Sequence, residues 1–260
     1  MFFLGVLTIA ERELIRYWRD KGRILSSTIQ SLMFLFIFGA GFSKTLSLGN
    51  FGISYLQFVF PGIIAMNVMG TAFFSTISTV WDREFGFLKE ILVAPVSRVS
   101  VAVGKTLGAV VIATIQATFM LILGPFIGLK IAPLSFVYVI LIMIVLAFAT
   151  ASLGLLMASL VKTMENFGLL LNLLVFPMFF LSGAFFPLNN APKWMMALSA
   201  IDPVTYGVDS FRAILLRNEL TAVSSAYILH PIYQNVLFLG VFAVVMISAA
   251  VFAFNKRGAL

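Results

Sequence analysis

The sequence has no cysteine, one histidine, and charge on only 10% of its 260 residues. Without cysteine there are no disulfides, no thiolate metal sites and no cysteine nucleophile, and the redox compartment stays open. The lone His230, followed by Pro231, has no second histidine and no close carboxylate pair beside it in the sequence. It is expected at a membrane interface rather than in a metal or catalytic site. Soluble proteins carry about a quarter of their residues charged. Here 61% are hydrophobic and the mean hydropathy is +1.08, so water is not the solvent of most of this chain. The net charge of +7 does not imply nucleic acid, because the bases sit at the ends of apolar stretches rather than on one solvated face.

What is present is six uncharged stretches, each long enough to cross a bilayer. A spanning helix needs about 20 mostly apolar residues, since hydrocarbon cannot satisfy backbone N–H and C=O groups. The expected spans are 24–42, 55–80, 101–129, 134–161, 167–186 and 232–254. The fold class is therefore all-α, one membrane domain over 1–260 with no room for a separate soluble one. Met1 to Ala10 is apolar but lacks a basic start and runs into Glu11, Arg12 and Glu13, so it is not read as a cleaved signal. Instead, Phe3, Val6, Leu7, Leu14, Tyr17 and Trp18 at helical spacing, with Arg12, Arg16, Arg19 and Lys21 as a basic side, predict an interfacial helix over 1–23.

Six spans place both termini on one side, and the bases say which. With the termini inside, twelve bases (Arg12, Arg16, Arg19, Lys21, Arg23, Arg83, Lys89, Arg98, Lys105, Lys162, Lys256, Arg257) are cytoplasmic and five (Lys44, Lys130, Lys193, Arg212, Arg217) are outside. That asymmetry predicts cytoplasmic termini in a cell membrane, inner or plasma. Lys105 is expected to snorkel from the inner end of its span.

Gly104-Lys105-Thr106 looks like the end of a phosphate-binding loop, but Val99 stands where the required glycine belongs and a membrane helix follows. It is read as structural. No ionisable group is expected deep in the spans, which argues against a proton-coupled transporter. Asn67, Gln116 and Asn172 are polar there; they either line a pathway or hydrogen-bond between helices. Gly5, Gly39, Gly41, Gly70, Gly108, Gly124, Gly128 and Gly154 are read as close-packing points.

The longest charged loop, 82–98, has three acids and three bases. Phe87, Leu88, Ile91 and Leu92 make an apolar stripe ended by Pro95, which predicts a short surface helix over 82–93. The run Glu84-x-Gly86 through Leu92-x-x-Pro95-x-Ser97-Arg98 resembles the cytoplasmic loop of type-2 ABC exporter permeases. So do Phe180-Leu-Ser-Gly-Ala-Phe-Phe-Pro187, Pro203-x-x-Tyr206 and Asp209-x-x-Arg212, and the likeness covers essentially the whole chain in order.

That resemblance implies a permease that dimerises on two copies of a separate ATPase subunit, which carries the ATP and Mg; this chain needs no cofactor of its own. It implies ATPase coupling through Glu84, Gly86, Leu88, Glu90, Pro95 and Arg98, with Arg12, Arg16 and Arg19 of the first helix. It also implies short re-entrant outer helices before the last span, carrying Gly183, Pro187, Pro203, Tyr206, Asp209 and Arg212. Asn190 with Pro192 and Asp202 with Pro203 suit two helix starts, and Asp209 can pair with Arg212 three residues on. Trp194 and Tyr206 suit the head-group level. The expected function is export of a hydrophobic or amphipathic substrate such as a drug, lipid or lipid-linked glycan. Rival readings are a passive channel or assembly scaffold, and an intramembrane enzyme, for which the scattered polar residues supply no cluster.

Overall fold

The computed structural model describes residues 2–42, 54–87, 96–217 and 228–257. The ordered elements are helices α1 (Phe2–Arg19), α2 (Lys21–Phe42), α3 (Tyr55–Ser75), α4 (Ile77–Glu84), α5 (Arg98–Ile122), α6 (Pro133–Leu160), α7 (Met164–Leu181), α8 (Lys193–Ser199), α9 (Pro203–Leu215) and α10 (Ile232–Arg257). No strand occurs among the described residues.

Among the described residues, five segments are long and apolar enough to cross a membrane: 55–84, 98–127, 133–160, 164–181 and 232–253. The first expected span, 24–42, lies in α2, whose side chains at 38–40 and 42 are outside the described residues, and it is not among the five. The remaining expected spans match these segments with boundaries moved by a few residues.

Local chemistry explains the helix ends. Ser54 Oγ accepts from Gln57 N at 3.2 Å while Gln57 Oε1 accepts from Ser54 N at 3.0 Å, a capping box that starts α3. Ser97 Oγ accepts from Ser100 N at 3.0 Å to start α5. Pro133 opens α6, where its missing N–H costs nothing. The expected single span 55–80 is interrupted at Thr76, which ends α3 and precedes α4. Thr76 bonds its hydroxyl to Phe73 O at 2.7 Å instead of continuing the helix.

Helix α3 is the most enclosed segment, with Phe58, Phe60, Ile64, Val68, Ala72 and Phe73 at 0% exposure. Helices α5, α6 and α9 cover it, and α10 lies along α6. α7 stays peripheral, with Leu169, Leu173, Phe176 and Phe180 at least half exposed on its outer face. Such apolar surface is at home in lipid or against another apolar helix.

The first helix packs one of its faces on the bundle. α1 buries Gly5, Val6, Ile9, Glu13 and Tyr17 against the start of α5, while Phe3, Leu7 and Trp18 stay exposed. Two glycines four residues apart in α5 permit this: a Cβ on Gly104 would meet Val6 O at 2.8 Å, and one on Gly108 would meet Glu13 Cβ at 2.8 Å. Gly5, Gly124 and Gly154 are likewise at close approaches, whereas Gly41 and Gly70 face open space, Gly128 forms a left-handed turn, and the surroundings of Gly39 are outside the described residues.

Candidate functional site: a basic groove above a buried charge cluster

Three acids and bases far apart in sequence converge where α1, α4 and α5 meet. Lys105 Nζ lies 2.6 Å from Asp82 Oδ2, 3.2 Å from Glu13 Oε1 and 3.1 Å from Ser78 Oγ. Arg12 grips the same aspartate as a fork, with Nη2 to Oδ1 at 2.9 Å and Nη1 to Oδ2 at 3.1 Å. Lys105 is 2% exposed, so it does not snorkel as expected; short partners, not water, satisfy its three donors. The cluster lies at the start of α5 and the end of α4 rather than deep in a span. Desolvating an ion costs several kcal/mol, which only such geometry offsets. The hydrogen bond to Asp82 is also the main reason Arg12 holds its proton more tightly than an ordinary arginine, against the opposite pull of burial.

Over this cluster lies an open groove of about 510 Å³ lined by Arg12, Ile15, Arg16, Arg19, Trp81, Asp82, Phe85 and Phe87. Arg16 stacks over Trp81 at 5.0 Å and Arg12 over Phe87 at 4.6 Å. The structure thus brings Arg12, Arg16 and Arg19 beside the end of α4. Gly86 follows with φ +79, a left-handed turn that a side chain would resist. Leu88, Glu90 and Pro95 lie outside the described residues. Arg98 is the first residue of α5 and half-buried.

The expected surface helix over 82–93 is corrected at its start, because Asp82, Arg83 and Glu84 are the last turn of α4. Glu84 is exposed, and its Oε2 accepts from Met164 N at 3.0 Å, at the first residue of α7. Arg83 Nη1 donates to Val161 O at 2.6 Å, Ala158 O at 3.2 Å and Ser159 O at 3.3 Å, satisfying carbonyls at the end of α6. The sequence reading counted Arg83 only as an inner base.

Among the polar span residues, Gln116 and Asn67 join helices. Gln116 Oε1 accepts from Tyr17 OH at 2.9 Å and Thr71 Oγ1 at 3.1 Å, and its Nε2 donates to Ser27 Oγ, tying α5 to α1, α3 and α2. Asn67 Nδ2 donates to Ser31 Oγ at 2.7 Å. Asn172 is exposed on α7 and stands apart from both.

At the opposite end, Gly183 turns with φ +75 and its carbonyl accepts from Arg212 Nη2 at 3.0 Å. Arg212 also lies over the Phe58 ring at 4.1 Å. Asp209 Oδ2 accepts from His230 N at 2.9 Å and Asn235 Nδ2 at 3.0 Å, and Oδ1 from Leu229 N at 2.8 Å. These contacts, rather than the expected Asp209–Arg212 pair, hold the two residues, and His230 joins this cluster instead of standing alone. Tyr206 is buried: it stacks on Phe238 with ring centroids 3.8 Å apart, and its hydroxyl donates to Ala200 O at 2.8 Å. Trp194 is 63% exposed. Asp202 caps α9 through Val204 N at 2.9 Å with Pro203 as the first helical residue, as expected. Pro187 precedes a short 3-10 turn, Leu188–Asn190, and α8 starts after Pro192.

Residues 5–216 match the family described as ABC-2 type transporter. The chain belongs to the ABC-2 type transporter family. Relatives agree. The permease is 29% identical over 229 residues to "Putative transport permease ycf38" of Cyanophora paradoxa, covering 87% of this chain and 79% of that one. It is 27% identical over 216 residues to "Inner membrane transport permease YadH" of Escherichia coli (strain K12), covering 82% and 83%. With "Probable multidrug ABC transporter permease YbhR" of the same strain it shares 30% over 176 residues, 65% of this chain and 46% of that longer one. It is a multi-pass membrane protein that serves transport, and no nucleotide-binding domain is evident in the match. Gly104-Lys105-Thr106 is accordingly a helix-packing site, with Gly104 against α1 and Lys105 in the charge cluster.

Proposed function

We propose that this permease is the membrane subunit of an ATP-driven exporter of a hydrophobic or amphipathic substrate. Two copies sit on two copies of a separate ABC ATPase that binds ATP and Mg, with both termini cytoplasmic and the pathway along the dimer interface. The observation that carries the reading is the groove beside Arg12, Arg16 and Arg19, where exposed bases and the exposed rings of Trp81, Phe85 and Phe87 surround the end of α4. Arg-rich, aromatic surfaces suit protein docking, and here the docking site adjoins the segment that carries Leu88, Glu90 and Pro95.

ATP-driven closure of the ATPase pair would push on that segment and shift the membrane halves between inward and outward access. Arg212 and Asp209, held to Gly183 and to the start of α10, make the outer elements a packed cap over the exit. The exposed apolar face of α7 supports an apolar neighbour, either lipid or the second copy.

The test is affinity purification of the chain from its native membrane, followed by assay for a stoichiometric ATPase. A co-purifying ATPase that is lost when 85–95 is scrambled, with the chain still inserted, supports the exporter. No ATPase would favour a passive channel or scaffold.

A further inference from the structure

We propose that Arg83 and Glu84 are positioning residues that carry motion of the α4 end into the α6–α7 turn. The inference rests on the exporter reading and goes beyond it, because it concerns how a push at the end of α4 reaches the turn between α6 and α7.

The geometry is a clamp across the turn. Arg83 Nη1 reaches three carbonyls at the end of α6, the shortest at 2.6 Å, where the helix dipole is negative. Glu84 accepts from the first amide of α7, where the dipole is positive. Two adjacent residues of α4 therefore hold both sides of the same turn, each with the sign of charge that its helix end favours. Asp82, one residue earlier, holds Arg12 of α1 and Lys105 of α5 on the other side.

At Thr76, φ −74 and ψ −12, the ladder tightens for one residue between α3 and α4, a local irregularity at which α4 can pivot. Thr76 nests against Gly154 of α6, where an added Cβ would meet Thr76 Oγ1 at 2.7 Å. A short helix with a break at one end and ionic grips at the other moves as a unit more readily than one continuous with α3. α7 has few buried positions, so its course depends on such end contacts more than on core packing.

The absence of cysteine makes the test direct. Phe85→Cys and Lys162→Cys, both at exposed positions, are spin-labelled in the complex with the ATPase subunit, whose recovery with the labelled chain is matched against that of the unsubstituted chain because Phe85 lines the docking groove, and distances are recorded without nucleotide and with ATP plus vanadate. A second pair, Phe85→Cys with Phe126→Cys, reports movement of the α4 end itself. We expect the 85–126 distance to shift by several ångströms on trapping while the 85–162 distance stays constant. Arg83→Gln should make the 85–162 distance broaden and shift with nucleotide although the ATPase remains bound. Arg83→Lys, which keeps the cation but loses the guanidinium Nη1 that reaches the carbonyls, should broaden it less and guards against a folding defect in the first variant. An 85–162 distance that changes with nucleotide in the parent, one indifferent to Arg83→Gln, or an 85–126 distance that never moves would overturn the clamp. Failure of the parent chain to bind any ATPase would instead overturn the exporter reading beneath it.

Discussion

Glu13 and Lys105 stand 92 positions apart in the chain and 3.2 Å apart in space. That contact, shared with Asp82, joins the first helix to the start of α5 and the end of α4. It ties α1 to the helix bundle. A partner seated on the basic groove would thereby act on three helices at once.

Removing the cation should be costly. Lys105→Met leaves Glu13 and Asp82 buried with one fewer positive partner, and breaking such a pair typically costs about 3–5 kcal/mol. A thermal melt of the detergent-solubilised permease should show a large loss, partly recovered by adding Glu13→Gln. A melting temperature equal to the parent's would show that the cluster contributes nothing to stability.

The glycine seam makes a separate steric prediction. Gly104→Ala places a methyl group 2.8 Å from Val6 O, a backbone atom that cannot rotate away. Overpacking of this kind costs about 1–3 kcal/mol. Limited proteolysis should then cut within α1 faster than in the parent, and equal rates would count against the seam.

Asp202 supplies the pH dependence. Its carboxyl caps α9 but is buried, and desolvation pushes it from the ordinary 3.8 up to about 8. A folded value above the unfolded one means that the folded state binds the proton more tightly. The contribution to stability is fully present below about 4 and is lost as pH rises to about 8. Asp202→Asn keeps an acceptor for Val204 N, so its melting temperature should fall less than the parent's between those two values. Parallel pH profiles would refute the assignment.

For the groove, Arg16→Glu with Arg19→Glu reverses charge at exposed or half-exposed positions while leaving the Arg12–Asp82 fork in place. Insertion should be normal and ATPase recovery in a pull-down should fall at least about tenfold, the loss of roughly 1.4 kcal/mol or more of binding. Undiminished recovery would remove these arginines from the docking surface.

The sequence by itself determined the class of the protein, because hydrocarbon leaves helix as the economical solution for long uncharged stretches and the chain has them at regular intervals. It also marked the start of α9, through Asp202 and Pro203, since capping is chemistry between near neighbours. The break at Thr76 was not legible, as nothing in that apolar run marks an interruption that depends on packing against Gly154 of α6.

The site divided in the same way. Arg12, Arg16 and Arg19 could be placed on one side of a helix by their spacing, but their grouping with Trp81 and Phe87 required the fold. Glu13 did carry a sign of its role, lying four residues from both Ile9 and Tyr17 on the stripe that α1 buries. Lys105 stood between glycines that only a neighbouring backbone explains. Tertiary structure alone decided the partners of Lys105, Arg83 and Asp209. A buried charge takes whatever counter-charge or dipole the fold brings within about 3 Å, and sequence distance sets no limit on that choice.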